Sequence, residues 1–168
     1  MTTTKQFKTI SISEIMTPNM TNFTGNVHGG YLLSLLDKTA YACAAKYAAR
    51  PCVTLSVDRV YFKESIHVGE LVTCYASVNY VGKTSMEVGI KVVAENLQTR
   101  HRRHTNTCYF TMVALDEATQ KPAAIPALEI YSEIEQRRFD EAKQRRDLRL
   151  QFYQAHLARK EAEQDKEE

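Results

Sequence analysis

A long, nearly all-apolar segment that contains a single aspartate constrains this chain more than any other feature. After the paired glycines Gly29 and Gly30, the residues from 31 to 49 are apolar or small, apart from Ser34, Asp37, Lys38, Thr39 and Lys46. A helix that is apolar on nearly every side belongs inside a fold. An ionised aspartate is costly to bury unless it is paired, hydrogen-bonded or protonated. We therefore predict a buried central helix and a chemical role for Asp37.

The overall composition fits one globular domain and excludes several classes of protein. A chain of 168 residues with 43% apolar content buries roughly 70% of its unfolded surface. The formal charge of +2 does not argue for a nucleic acid or an anionic membrane. The N-terminal sequence MTTTKQFKTI lacks the apolar core of a secretory signal, and charges interrupt the central helix. We expect a cytoplasmic protein with no nucleic-acid partner and no membrane insertion.

The cysteines and histidines do not form a metal-binding pattern. The four cysteines are widely spaced and contain no CxxC pair, which favours buried free thiols over a zinc or redox site: Cys43, Cys52, Cys74 and Cys108. The histidines are scattered, and His101 with His104 is expected in a basic turn. We predict no metal and no cofactor.

Strand-like alternation follows the helix. Residues 5–12 predict a short strand, and the helix should end near Ala49-Arg50-Pro51, because proline disfavours helical geometry in the preceding residue. From Cys52 apolar and polar residues alternate with a period of two, which predicts a strand with one apolar face. The alternation shifts at 58–59, where the strand could have a bulge. The apolar positions of this stretch are Val53, Leu55 and Val57, then Val60 and Phe62.

The remaining pattern predicts a hairpin, one more strand and an appended helix. Residues 71–80 and 85–94 flank a short turn, and 106–115 places Cys108, Phe110 and Met112 on one face. One apolar helix followed by consecutive antiparallel strands predicts an α+β fold in which the sheet curls around the helix. From Ser132 the chain is rich in helix formers and charges. We predict a domain over 1–130 and a helical extension over 131–168, with the last ten residues frayed.

Five segments together resemble the cytosolic acyl-CoA thioesterases of the hotdog fold, over about residues 8–150. They are the segment from Asn22 to Asp37, the VTLSVDRVYF strand, the VGELV turn, the VGKTSMEVGI hairpin and the PALEIYSEIEQRRFDEA tail. The resemblance implies a long helix wrapped by an antiparallel sheet. It implies paired subunits that form the active sites, with dimers gathered into hexamers as trimers of dimers. The implied reaction is hydrolysis of fatty acyl-CoA to fatty acid and coenzyme A, so that coenzyme A belongs to substrate and product.

The resemblance implies that Asn22 and Asp37 are the catalytic pair, and the chemistry of these residues agrees. A carboxylate can activate water or attack the thioester directly, and burial of Asp37 would raise its pKa above the usual value of about 3.9 and make it a better base. Asn22 can orient water or the thioester. Gly29 and Gly30 would leave the helix N-terminus open, so that backbone N–H groups polarise the thioester carbonyl.

Helix spacing predicts that the active site is shared between subunits. Gly30 and Asp37 are seven positions apart, which keeps them on one helix face but separates them by roughly 10 Å of rise. One thioester can hardly touch both in the same chain. Two antiparallel helices around a two-fold axis would bring Gly30 of one subunit near Asp37 of the other.

Structural roles remain open for the same residues. Asp37 could be a buried aspartate tied to a backbone amide or to Lys38, and Asn22 could be a turn former. His28 invites a general-base role, but related thioesterases also carry phenylalanine there, which favours packing or orientation of the loop.

Two basic segments have similar alternatives. The residues Gly82, Lys83, Thr84 and Ser85 could be ordinary hairpin chemistry, although the resembling family uses this turn to hold the pantetheine and phosphates of coenzyme A. Arg102 and Arg103, with His104, could be a solvated charge run or could bind the 3′-phosphate through bidentate contacts.

Two other functional classes compete with the thioesterase. A hotdog-fold dehydratase or hydratase could use His28 and Asp37, although the glycines that directly follow the histidine look more like the thioesterase pattern. A non-catalytic acyl-CoA or nucleotide sensor is the second rival, as is a nucleic-acid binder that uses the basic side of the tail.

Overall fold

The chain folds as a helix packed against a five-stranded sheet, followed by a separate helical unit. The computed structural model describes residues 7–164, and the chain divides into two compact units between Glu129 and Ile130. In the first unit the elements are β1 (Thr9–Ile15), a 3₁₀ turn (Pro18–Met20), α1 (Gly29–Ala48), β2 (Cys52–Val57), β3 (Glu70–Val81), β4 (Ser85–Asn96) and β5 (Arg102–Ala114).

All neighbouring strands are antiparallel, in the order β1-β3-β4-β5-β2. One face of the sheet packs against α1, and alternate strand residues such as Val72, Ile90 and Phe110 fill the core between them. The predicted α+β class is confirmed.

Helix α1 buries one face and exposes the other. It ends where predicted, because Ala49 adopts a left-handed backbone with φ of 52° just before Arg50-Pro51. The buried side is continuous: Leu32, Leu35, Leu36, Thr39, Ala40, Cys43, Ala44, Tyr47 and Ala48. On the opposite side Leu33, Asp37 and Tyr41 are exposed. The prediction that the chain encloses the whole helix, Asp37 included, is therefore wrong for a single chain, because the sheet covers only one side.

A β-bulge in β2 changes which side chains face the helix. Thr54 lies opposite Met112, Ser56 lies opposite Thr111, and Leu55 is the extra residue between them. Directly opposed residues share a face, and buried Met112 marks the face towards α1.

Thr54 therefore faces α1, and after the bulge so does Val57, which lies opposite the core residue Phe110. The predicted single face of Val53, Leu55 and Val57 is wrong, because an inserted residue reverses the alternation. The shift lies at Leu55 rather than at 58–59, and Val60 and Phe62 belong to an irregular connection.

Several strand boundaries differ from the predicted ones. Strand β1 covers Thr9–Ile15, while residues 5 and 6 of the predicted strand lie outside the described residues. The β3–β4 hairpin has the predicted turn. Strand β5 begins at Arg102 and pairs from there with Glu95 of β4, so His104 lies in a strand and not in a basic turn.

The second unit contains the predicted helix, α2 (Glu133–Gln164). Its start is capped, because the Glu135 amide donates to Ser132 Oγ at 3.2 Å and the Glu135 carboxylate accepts from the Tyr131 amide at 2.8 Å. Arg137 and Glu141 form an i,i+4 ion pair at 3.0 Å. The helix continues through Gln164, and the final four residues of the predicted frayed end lie outside the described residues.

Candidate active site

A tight loop before α1 is organised by the side chain of Asn22. Asn22 Oδ1 accepts from Thr24 N at 3.0 Å, from Thr24 Oγ1 at 2.7 Å and from Asn26 N at 3.2 Å. Two of these donors are backbone N–H groups, so the network fixes which amide atom is the oxygen. Among the described residues Asn22 Nδ2 has no hydrogen-bond partner. Asn22 thus forms the turn with one amide atom and keeps a donor for another molecule.

The start of α1 is capped by the preceding histidine. His28 Nδ1 accepts from the Gly30 N–H at 2.8 Å. The Gly29 N–H has no acceptor within the described part of the chain. We expected both glycine amides to be open. Instead, the resting chain offers the Gly29 amide and holds the Gly30 amide against His28.

Asp37 is held by a residue that sequence reasoning missed. Thr54 Oγ1 of β2 donates to Asp37 Oδ1 at 2.6 Å. The same hydroxyl lies 3.6 Å from Met112 Sδ, but its single proton favours the carboxylate over a weak sulfur acceptor. The alternation of residues in β2 did not indicate that Thr54 faces α1, because the direction of its side chain depends on the bulge.

The surface around Asp37 is apolar although the carboxylate itself is exposed. Leu33 and Tyr41 lie one helical turn on either side of Asp37 and are 38% and 47% exposed. Val57 of the neighbouring β2 strand, which faces α1 as Thr54 does, is 44% exposed. Among the described strands β2 pairs only with β5, so within residues 7–164 its other edge has no partner strand. An apolar patch beside an open strand edge is a feature of protein interfaces.

A single chain brings together some predicted site residues and separates others. Asn22, His28, Gly29 and Gly30 lie at the N-terminal end of α1, roughly 10 Å along the helix from Asp37. The turn over 82–85 is at the other end, since the Ala114 amide binds Thr84 O at 3.0 Å and the next amide binds Pro51 O at 2.8 Å. The Asn22–Gly30 group therefore lies at the N-terminal end of α1, and the turn over 82–85 lies near its C-terminal end.

The turn over 82–85 is built by backbone bonds that leave its side chains available. Gly82 N donates to Ser85 O at 2.8 Å, and Lys83 O accepts from Ile125 N at 3.2 Å. The Lys83 side chain is exposed.

Arg103 is neither solvated nor open to a phosphate. Its guanidinium binds both Glu70 oxygens, at 2.6 Å and 2.8 Å, the Ser65 carbonyl at 2.7 Å and Glu64 at 3.1 Å. Only 18% of the Arg103 side chain is exposed. These contacts fasten the β2–β3 connection, whose Ile66 carbonyl accepts from the Val27 amide next to the Asn22 loop. Arg103 is thus a structural clamp near the site.

Arg102 remains more accessible than Arg103. It donates to the Tyr75 hydroxyl at 2.9 Å and pairs with Glu95 at 3.3 Å, while 54% of its side chain is exposed.

Within residues 7–164, no helix is long and apolar enough to cross a membrane, and no group of three metal-ligating side chains occurs in the described part.

The chain matches a known family. Residues 24–100 match the Thioesterase superfamily. Protein VdlD of Helicobacter pylori is 50% identical over 142 residues, which cover 84% of this chain and 80% of that protein. An acyl-CoA thioester hydrolase of Bacillus subtilis, YkhA, is 37% identical over 122 residues, which cover 73% of this chain and 70% of that protein. The chain belongs to the thioesterase superfamily, among the acyl-CoA thioesterases of the hotdog fold, as the resemblance predicted. The predicted enzyme class, thioester hydrolase, is confirmed with it.

Solved structures share this fold. A hexameric acyl-CoA thioesterase in its apo form is 35% identical with a TM-score of 0.83, covering 86% of this chain and 92% of that chain. An acyl-CoA hydrolase from Staphylococcus aureus, in complex with butyryl coenzyme A, coenzyme A and coenzyme A disulfide, is 28% identical with a TM-score of 0.78, covering 88% and 92%. Other structures of that hydrolase carry alanine in place of an aspartate, a threonine or an asparagine.

Proposed function

We propose that this protein hydrolyses fatty acyl-CoA to fatty acid and coenzyme A, with Asp37 as general base or nucleophile. The observation that carries the proposal is the 2.6 Å bond from Thr54 to Asp37. It fixes the carboxylate on the exposed side of α1, where one oxygen is bound and the other is available. A carboxylate held in this way can accept a proton from water or attack a carbonyl carbon.

Residue spacing supports the assignment of three side chains. In the Staphylococcus aureus hydrolase the altered asparagine precedes the altered aspartate by 15 positions, and that aspartate precedes the altered threonine by 17. The same intervals separate Asn22 from Asp37 and Asp37 from Thr54. We infer that the three residues form one functional set here, with Thr54 orienting Asp37.

The reaction then needs few groups. In the water route, Asp37 takes a proton from water as the oxygen bonds to the thioester carbon, and the carbonyl electron pair moves onto oxygen. In the anhydride route, an Asp37 carboxylate oxygen itself bonds to the thioester carbon. Water later cleaves the resulting mixed anhydride. In both routes the C–S bond breaks with its electrons on sulfur, and coenzyme A leaves as a thiolate that is then protonated.

The developing oxyanion needs donors. The free Gly29 N–H at the start of α1 is suited to this role, because the helix N-terminus carries partial positive charge. Asn22 Nδ2 is a second uncommitted donor at the same end and can orient the attacking water or the thioester.

We further propose that each active site is shared by two subunits. The Asn22–Gly30 end and Asp37 are too far apart along α1 for one small thioester group. A second copy that pairs its β2 edge in antiparallel fashion would cover Leu33, Tyr41 and Val57, and would place its own Gly30 near Asp37. The hexameric relative supports assembly into larger units, and trimers of dimers remain our proposal.

For coenzyme A, the exposed Lys83 and the turn around it are the proposed contacts within one subunit. Arg102 pairs with Glu95 at the opposite end of the β4–β5 hairpin, so we propose that it reaches the same coenzyme A only from a second subunit. Arg103 is left out, because a phosphate there would have to displace two carboxylates. We keep the predictions that the reaction uses no separate cofactor and takes place in the cytoplasm.

The direct test is thiol release from a series of acyl-CoA chain lengths, on the wild type and on Asp37→Asn. We expect turnover by the wild type and a loss of at least about a hundredfold in kcat for the variant. Wild-type turnover by Asp37→Asn would exclude the mechanism, and no thiol release from any chain length would exclude the function.

A further inference from the structure

We propose that His28 is a displaceable cap on the thioester-binding amide of Gly30, which substrate must remove before both glycine amides can hold the oxyanion. This inference rests on the proposed thioesterase function and adds a positioning residue to it. It starts from the 2.8 Å bond between the Gly30 N–H and His28 Nδ1. An amide that is already bonded inside the chain cannot stabilise a developing charge.

The ring lies directly over the amide that it binds. A Cβ built at Gly30 would come within 3.0 Å of His28 Nδ1 and 3.1 Å of Cε1. A side chain at position 30 would therefore push the ring away. Glycine at this position makes the cap sterically feasible, besides leaving room for a substrate once the ring has moved.

The cap is weakly held. His28 is exposed, and within residues 7–164 its ring makes no second hydrogen bond, so rotation into solvent breaks only one bond. The neighbouring amide differs, because the Gly29 N–H has no acceptor among the described residues. One donor is thus always open, and the second opens when the ring leaves.

This arrangement gives the amide a partner in both states. In the resting enzyme His28 satisfies one of the orphan amides at the helix start. In the complex the thioester carbonyl replaces it, so the substrate exchanges one hydrogen bond for another. The bond becomes stronger as negative charge develops on the carbonyl oxygen, which favours the transition state over the ground state.

A pair of substitutions separates a displaceable cap from a static one. In His28→Asn the amide oxygen can bind the Gly30 N–H, and asparagine is among the best N-cap residues. In His28→Phe a ring of similar size has no acceptor. If the cap must be displaced, the stronger cap of His28→Asn lowers kcat/KM, by at most about fivefold, the full worth of an N-cap. His28→Phe should keep or exceed wild-type kcat/KM although it melts at a lower temperature.

A static cap predicts the reverse order. His28→Asn would then match the wild type, and His28→Phe would lose activity together with stability. Either of these two results would overturn the proposal.

The bound state supplies a structural readout. The probe is a 2-oxoalkyl thioether of coenzyme A, in which a methylene group between sulfur and carbonyl prevents hydrolysis. A crystal structure with this probe should show the His28 Nδ1 to Gly30 N distance longer than 3.5 Å and the probe's carbonyl oxygen on the Gly30 amide. An unchanged His28–Gly30 bond with the carbonyl bound elsewhere would contradict the cap. Failure of the wild type to release thiol from acyl-CoA would instead refute the proposed function, so the two failures are distinguishable.

Discussion

Thr54 of β2 donates its hydroxyl proton to Asp37 of α1 across 2.6 Å. Hydrogen bonds to charged groups contribute about 1.5–3 kcal/mol. We therefore expect Thr54→Val, which keeps the branched shape and removes the hydroxyl, to lower kcat by about tenfold to a hundredfold. The measurement is steady-state thiol release at saturating acyl-CoA.

Thr54→Ser is the matched control, because it keeps the hydroxyl and loses only a methyl group. It should retain most of the wild-type kcat. Equal losses in both variants would show that packing of the methyl group, and not the bond to Asp37, explains the effect.

Asn22 combines two roles that different variants separate. Asn22→Asp keeps an oxygen that can accept the three bonds from Thr24 and Asn26 but removes the Nδ2 donor. We expect near-wild-type melting and a kcat reduced by at least about tenfold. Asn22→Ala removes both and should lower the melting temperature as well.

The added charge of Asn22→Asp has its own control. Repulsion from the anionic substrate is screened by salt, whereas loss of a hydrogen-bond donor is not. The defect in kcat should therefore persist at high ionic strength. Recovery of wild-type kcat in high salt would show that Asn22 contributes through charge alone.

The Arg103–Glu70 pair makes stability depend on pH in a defined direction. Burial opposes ionisation of Glu70, but Arg103 and the His67 amide more than offset it, so the pKa of Glu70 is lowered below its ordinary 4.5. The folded state thus gains stability from ionised Glu70 above pH 4.5 and loses it as pH falls through the lowered value. We expect Glu70→Gln to reduce the free energy of unfolding by about 2 kcal/mol at pH 7 and by less at pH 3.

Urea unfolding at the two pH values measures this difference, and Glu117→Gln is the control at an exposed position. The control should change stability by less than about 0.5 kcal/mol. A Glu70→Gln deficit that is as large at pH 3 as at pH 7 would contradict the role of the charge.

The cysteine thiols should be unreactive in the folded protein. All four are buried and free, as predicted. Burial raises the pKa of Cys43 and Cys108 to about 12 and that of Cys52 and Cys74 to about 11. Since the thiolate is the reactive form, a disulfide reagent at pH 8 should detect no protein thiols within minutes and four in denaturant. Rapid reaction of the native protein's thiols with the reagent would contradict this burial.

Local sequence pattern predicted the elements well where a continuous pattern carries the information. The apolar run of α1 with its Pro51 stop, and the alternation on both sides of the 82–84 turn, gave the helix and the hairpin close to their observed bounds. The bulge at Leu55 leaves no signature in composition, so the face of Thr54 and its bond to Asp37 could not be predicted.

Charged residues were harder to interpret because their partners are distant in sequence. Arg103 and Glu70 are 33 positions apart, and nothing in either segment indicates that they meet. The exposure of Asp37 has a similar origin, since an apolar helix face can be reserved for a second copy as well as for the core. The sequence pattern does not distinguish these two uses.

The shared active site is tested most directly by mixing two inactive variants. Asp37→Asn and Asn22→Asp are co-expressed at equal levels, and intact-mass measurement establishes that the assemblies are mixed. If Asn22 of one subunit works with Asp37 of the other, random pairing leaves one of two sites intact in half of the dimers. We expect recovery of about a quarter of wild-type turnover. Turnover of verified mixed assemblies no higher than the average of the two variants would contradict it.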